Sequence, residues 1–113
     1  MSLPRKGRRR DPMGVYVKRL PDVMGLKVWL VNGQRIRDSL FIDFTMGGHD
    51  IVYPTLVPKG EVWLDANMNV KDREATLLHE LTERALMLEK GLTYERAHDK
   101  ASARETVFRR QGI

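Results

Sequence analysis

From Val15 to about Met68 apolar and polar residues follow one another in the short runs expected of strands, and the spacing lengthens to nearly four after Asn69. Val15-Tyr16-Val17-Lys18-Arg19-Leu20 is rich in β-branched and aromatic residues and is expected to form a strand that Pro21-Asp22 ends. Leu26 to Val31 predicts a second strand. Asn32-Gly33 can take positive φ at both centres of a type I′ turn, so Gln34-Arg35-Ile36-Arg37 is expected to return as the other arm of a hairpin. Ser39 to Thr45 reads as a further strand closed by Gly47-Gly48, and Ile51-Val52-Tyr53 as a short extended piece before Pro54 and Pro58. Glu61 to Asp65 is the last expected strand, and Trp29 and Trp63 read as core.

Beyond Asn69 the pattern is helical. Asp72 is expected to cap a helix running to Lys90, with Gly91 as its C-terminal stop. At about 100° per residue, Leu77, Leu78, Leu81, Ala85 and Leu88 share one arc, the expected core face, while His79 and Glu83 project together from another. Thr93 can cap a second helix reaching Arg110, whose inward arc holds Tyr94, His98, Ala101, Glu105 and Phe108. Two ionisable groups thus sit in what should be an apolar seam. The pattern predicts an α+β domain: an antiparallel or mixed twisted sheet followed by two C-terminal helices.

The chain has 113 residues, enough for one modest core. No unbroken aliphatic or aromatic run exceeds the length of Val28-Trp29-Leu30-Val31, so no membrane span is expected. Cysteine is absent, which excludes disulfides, thiol catalysis and cysteine-ligated zinc. The formal charge of +5 points towards nucleic acid, but its distribution weakens that reading. Arg5, Lys6, Arg8, Arg9 and Arg10 against Asp11 give residues 1–12 a net +4, leaving +1 for the single domain expected over residues 13–113. The basic character belongs to an N-terminal arm, expected to be flexible and solvated, with weak contact to nucleic acid as its alternative role. Asp11-Pro12-Met13-Gly14 supplies no apolar stretch after those cations, so a cytoplasmic location is expected.

Chemistry concentrates in His79-Glu80-Leu81-Thr82-Glu83 and in His98. A histidine and a carboxylate at i and i+4 on one helix reach a single cation side by side and leave the intervening Glu80 free to handle a proton. With three His and seven Glu in the chain, an H-E-x-x-E match arises by chance in about 1% of such compositions. Residue counting adds to it. Glu83 lies eight residues before Gly91 and His98 seven after, about 12 and 10 Å from the turn at 1.5 Å per residue, so an antiparallel helix pair sets them level. The same count sets His79 opposite Glu105. His49, in Gly47-Gly48-His49-Asp50, reads as a turn residue, with a fourth ligand or substrate contact as its alternative. Glu80 and Arg84 fit a solvated i,i+4 pair.

Residues 72–105, with His79-Glu80-x-x-Glu83-Arg84-Ala85-Leu86-Met87 and Gly91-x-x-Tyr94-x-x-Ala97-His98-x-x-Ala101-x-x-x-Glu105, resemble small zincin-like metallopeptidases. Their active-site helix carries H-E-x-x-H or a close variant, and a second helix completes the metal site. The resemblance implies that His79 is a metal ligand and Glu80 the general base. Zincins have His where this chain has Glu83, and gluzincins draw a Glu from the second helix where this chain offers His98. The ligand types are exchanged between helices, and two His and one carboxylate remain. Zinc is the default ion, and iron or manganese suit the same donors. Tyr94 is placed to steady an oxyanion and Glu105 to accept a hydrogen bond from a ligand imidazole.

These readings predict a minimal zincin-like metallohydrolase acting on a peptide or protein. The competing class is a non-enzymatic binding module with a structural metal, its basic arm contacting nucleic acid or an acidic partner. So short a chain walls only a shallow cleft, and its sequence leaves the oligomeric state open.

Overall fold

The computed structural model describes residues 14–39 and 41–111, so the basic arm expected over residues 1–12 lies outside the described residues. Strands β1 (Tyr16–Val23) and β2 (Leu26–Val31) pair antiparallel through Met24-Gly25, whose φ values of 53° and 80° are those of a type I′ turn. Pro21 does not end β1, because β1 is an edge strand and the register shifts between Leu20 and Val23.

The hairpin expected at Asn32-Gly33 does not form. Asn32 has φ −83° and ψ 92°, and its side chain accepts the Arg35 N–H at 3.0 Å, capping helix α1 (Gly33–Asp38). Asn is as good a helix cap as a turn former, and only Gly33 and Ile36 of this segment are fully buried, too few to hold a strand. Among the described residues between Ser39 and Thr45 there is no strand either. The Ser39 hydroxyl donates to the Ile36 carbonyl at 2.7 Å, and Arg37 reaches the carbonyls of Phe44 and Thr45 at 3.1 and 2.9 Å, which occupies groups a ladder would use.

The glycines expected to close that strand form one themselves, β3 (Gly47–His49). A Cβ on Gly47 would fall 2.8 Å from the Trp63 carbonyl oxygen and one on Gly48 would fall 2.7 Å from the Tyr53 ring, so the close approach needs both glycines. Ile51 to Tyr53 turns rather than extends, with the Tyr53 N–H on the His49 carbonyl at 3.0 Å.

Strand β4 (Glu61–Asp65) is buried along its whole length. The sheet has the order β1-β2-β4-β3, with β2 and β4 parallel and both edge strands antiparallel, so it is mixed. Alternation along β2 and β4 divides the core between the two faces. Val28, Leu30, Val62 and Leu64 pack with Leu77 and Leu81 on one side, and Val31 and Trp63 pack with Ile36, Phe44 and Val57 on the other.

Helices α2 (Val70–Lys90) and α3 (Tyr94–Gln111) complete an α+β fold. Asn69, not Asp72, caps α2 by accepting the Asp72 N–H at 2.8 Å, while the Asp72 carboxylate receives Arg109 of α3 at 2.8 Å. Gly91 ends α2 in the left-handed conformation at φ 66°. Ala97 and Ala101, one turn apart and fully buried, let α3 approach closely. Tyr94, expected inside the seam, is exposed, and His98 and Glu105 sit half-buried at its margin.

The apolar arc of α2 is not its most buried face. Leu77 and Leu81 are half-buried against the sheet and Leu88 is exposed, whereas Ala75, Thr76, His79, Glu80 and Glu83 are buried. Among the described residues no helix is long and apolar enough to cross a membrane.

The loop after β3 is tied to α2 by a bidentate ion pair. Arg84 donates from Nε and Nη2 to Asp50 at 2.6 and 3.1 Å, and the Gly60 N–H adds a third bond to Asp50 at 2.7 Å. The alternative reading of Glu80 and Arg84 as an i,i+4 pair is therefore not the arrangement found. Burial pushes the Asp50 pKa up, but the Arg84 and Gly60 hydrogen bonds outweigh it and hold the group below its ordinary 3.8. The stabilisation is thus present above that unfolded value and lost as pH falls through the lower folded one. Asp50→Asn is expected to cost about 3 kcal/mol at pH 7 by urea denaturation, a deficit that shrinks in acid below the folded pKa.

Candidate metal centre

His79 and Glu83 stand one turn apart on α2, and the turn at Gly91 brings His98 of α3 level with Glu83. The His98 Nδ1 lies 2.9 Å from Glu83 Oε2, the His79 Nε2 lies 3.2 Å from the same oxygen, and the two ring nitrogens are 3.2 Å apart. Three donor atoms therefore form a nearly equilateral triangle. Bonds of 2.0–2.1 Å at a tetrahedral angle put neighbouring ligand atoms about 3.3–3.4 Å apart, so the triangle has close to the size of one face of a zinc coordination sphere.

Hydrogen bonding alone accounts for this triangle poorly. With both nitrogens protonated towards Glu83 Oε2, two N–H groups would confront each other across 3.2 Å. A cation on the three lone pairs removes that conflict, and the donor set fits a divalent ion.

His49 joins the same carboxylate. It is completely buried and ends β3 rather than lying in a turn, and its Nε2 lies 2.8 Å from Glu83 Oε1. Glu83 thus collects one imidazole each from β3, α2 and α3. Burial pushes its pKa up, and the hydrogen bonds from His49, His79 and His98 reverse that and bring it down to about 2. The Glu83 hydrogen bond in turn raises the pKa of His79 against the effect of burial.

Glu80 is treated in the opposite way. It is 7% exposed, and burial, reinforced by the charge of Glu83, pushes it up to about 8. One of its oxygens lies within 4.8 Å of donor atoms on His49 and Glu83. Its side chain also borders a cleft of about 390 Å³, as do those of His79, Glu83 and His98.

Tyr94 lies over His98, with ring centroids 5.3 Å apart and its hydroxyl 3.5 Å from His98 Nδ1. Burial first, and then the charges of Glu83 and Glu80, raise its pKa, so it stays a protonated donor at neutral pH. Glu105 Oε1 is 3.0 Å from His79 Nδ1, but off the ring N–H direction, so it acts there as a charge rather than a hydrogen-bond acceptor. Its other oxygen accepts Arg109 Nε at 2.8 Å.

The fold brings together His79, Glu80, Glu83, His98 and Glu105, with Tyr94 at the rim. The Asp50–Arg84 pair escaped sequence reasoning, and the His49–Glu83 contact was not foreseen in the reading of His49 as a turn residue. Both are contacts across 34 residues, from the end of β3 and the residue that follows it, where the sequence has no periodic signal. Comparison with known proteins adds no relative: no family model, curated protein or solved structure matches the chain.

The Glu80 carboxyl ties the stability of the metal-free protein to pH. Its folded pKa is raised, so the fold carries no penalty for it below the unfolded value near 4.5 and loses stability as pH rises through about 8. Metal-free Glu80→Gln is accordingly expected to exceed the parent by about 2 kcal/mol at pH 8 and to match it at pH 4, measured by urea unfolding in chelator.

Proposed function

We propose that this chain is a minimal zincin-like metallohydrolase that cleaves a peptide or protein substrate, with a divalent cation, zinc by default, held by His79, Glu83 and His98. The observation that carries the reading is the donor triangle itself, opening on a cleft that also holds a buried carboxyl, Glu80. Bound there, the cation supplies Lewis acidity, lowering the pKa of water and polarising a carbonyl.

The remaining work falls to side chains of this chain. Glu80 takes a proton from the attacking water and passes it to the departing amine; water adds to the carbonyl carbon, and the carbon–nitrogen bond breaks. Burial raises the Glu80 pKa in the metal-free protein, so once this carboxyl has taken up a proton its surroundings favour the neutral form until the proton is passed on. The Tyr94 hydroxyl, at the rim beside His98, donates a hydrogen bond to the carbonyl oxygen as negative charge builds on it. Glu105 adds negative charge behind the His79 ring.

The substrate class rests on the sheet. β3 is an edge strand, and Gly47 and Met46 line the cleft, so an extended peptide has a backbone edge to pair with alongside the catalytic groups. What favours catalysis over a purely structural cation is the open side of the triangle. A structural zinc closes its fourth position with protein, whereas here the three donors face a cleft.

Glu80→Gln is expected to lower hydrolysis of a denatured protein substrate by at least about 1000-fold while leaving zinc content at the parental level and the protein folded. Zinc content is checked by elemental analysis and folding by melting. Loss of zinc with the activity would make Glu80 a ligand, and undiminished hydrolysis would remove it from the mechanism.

A further inference from the structure

His49 offers a second way of using the carboxylate cluster. His49, Glu80 and Glu83 also place one donor atom each within 4.8 Å of the others, so distance alone allows His49 to be a ligand, either in place of the α2–α3 triangle or of a second ion sharing Glu83. The hydrogen bonds of the His49 ring decide between these arrangements. The backbone N–H groups of Ile51 and Val52 both donate to His49 Nδ1, at 3.2 and 3.3 Å. A nitrogen that accepts two N–H groups carries no proton of its own, so the proton of this imidazole is on Nε2. That nitrogen faces Glu83 Oε1 at 2.8 Å and is the donor of the bond.

From this we infer that His49 is a positioning residue and not a ligand: its Nε2–H fixes Glu83 Oε1, turns Oε2 towards His79 and His98, and limits the centre to one cation per chain. The inference rests on the metallohydrolase reading above and adds to it a residue on the far side of the carboxylate. Coordination through Nε2 with Nδ1 still receiving two backbone N–H groups would demand an imidazolate, whereas a neutral imidazole with its proton on Nε2 satisfies all three hydrogen bonds. The arrangement also explains why β3 and the loop after it are bound so firmly. The ring is held by the 51–52 backbone, and the same loop is anchored to α2 by Asp50 and Arg84, next to Glu83 in sequence. The imidazole therefore meets the carboxylate at a fixed angle, which is what an outer hydrogen bond to a ligand requires.

The test uses the full chain and zinc alone, titrated against a chromophoric chelator, with His49→Ala and His49→Gln. Gln retains an N–H near the position of Nε2. The parent is expected to bind one zinc per chain; His49→Ala should keep that stoichiometry and bind about 10- to 100-fold more weakly, and His49→Gln should recover most of the loss. Unchanged affinity in His49→Ala would overturn the proposal, as would two ions in the parent with one in the variant. Nitrogen NMR of the metal-free parent gives a reading that no variant can spoil by misfolding. A protonated Nε2 and a bare Nδ1 on His49 support the assignment, and the reverse pattern overturns it while leaving the His79–Glu83–His98 centre standing. A parent that binds no zinc at all removes the metallohydrolase reading, and this one with it.

Discussion

One buried carboxylate ties together three elements of this molecule, β3, α2 and α3. Glu83, 2% exposed, receives His49 from the edge of the sheet, His79 from its own helix and His98 from the helix beyond the turn. Burying an ionised group costs several kcal/mol unless it is met by hydrogen bonds or opposite charge, and here three rings meet it. Removing any one of them leaves part of that charge uncompensated, so the geometry of the centre and the packing of β3 against α2 are enforced together.

The contrast between Glu80 and Glu83 shows how much of the chemistry lies in the surroundings rather than in the residue type. The two carboxyls are three positions apart on one helix and both almost fully buried, yet one is driven to about 8 and the other to about 2. Glu83 has partners on three elements. Glu80 has burial and a like charge beside it. Two carboxyl groups pushed in opposite directions within one cleft divide naturally into an anion that holds and an acid that transfers.

The helical half of the chain was readable from sequence because its information is local. The i,i+4 spacing of His79 and Glu83, the glycine stop at position 91 and a simple count of residues on either side set Glu83 against His98 and His79 against Glu105. The strand half was less readable. Asn32-Gly33 carried the stronger turn signature, yet Met24-Gly25 makes the turn, because the pairing of β1 with β2 imposes positive φ on a methionine and Asn32 is used as a cap. Gly47-Gly48 looked like punctuation and is a strand, needed where β3 presses against Trp63 and Tyr53. Amphipathic counting put the leucines of α2 inside, and Leu77 and Leu81 do pack against the sheet, but a face rich in ionisable groups is more deeply buried. No periodicity reports a polar cluster that supplies its own partners, and none reports a histidine that acts across 34 residues.

The α2–α3 hairpin makes segment length as consequential as residue identity. Between Glu83 and His98 the chain runs through the end of one helix, a left-handed glycine and the first turn of the next. One residue inserted before Gly91 would rotate His79 and Glu83 by about 100° relative to the turn and lift them about 1.5 Å, so both would leave the triangle without a single donor being changed. Seven inserted residues would nearly restore the facing but displace the pair by about 10 Å along the axis. The spacing therefore behaves as a ruler cut to one length: this stretch should tolerate exchanged side chains far better than gained or lost positions.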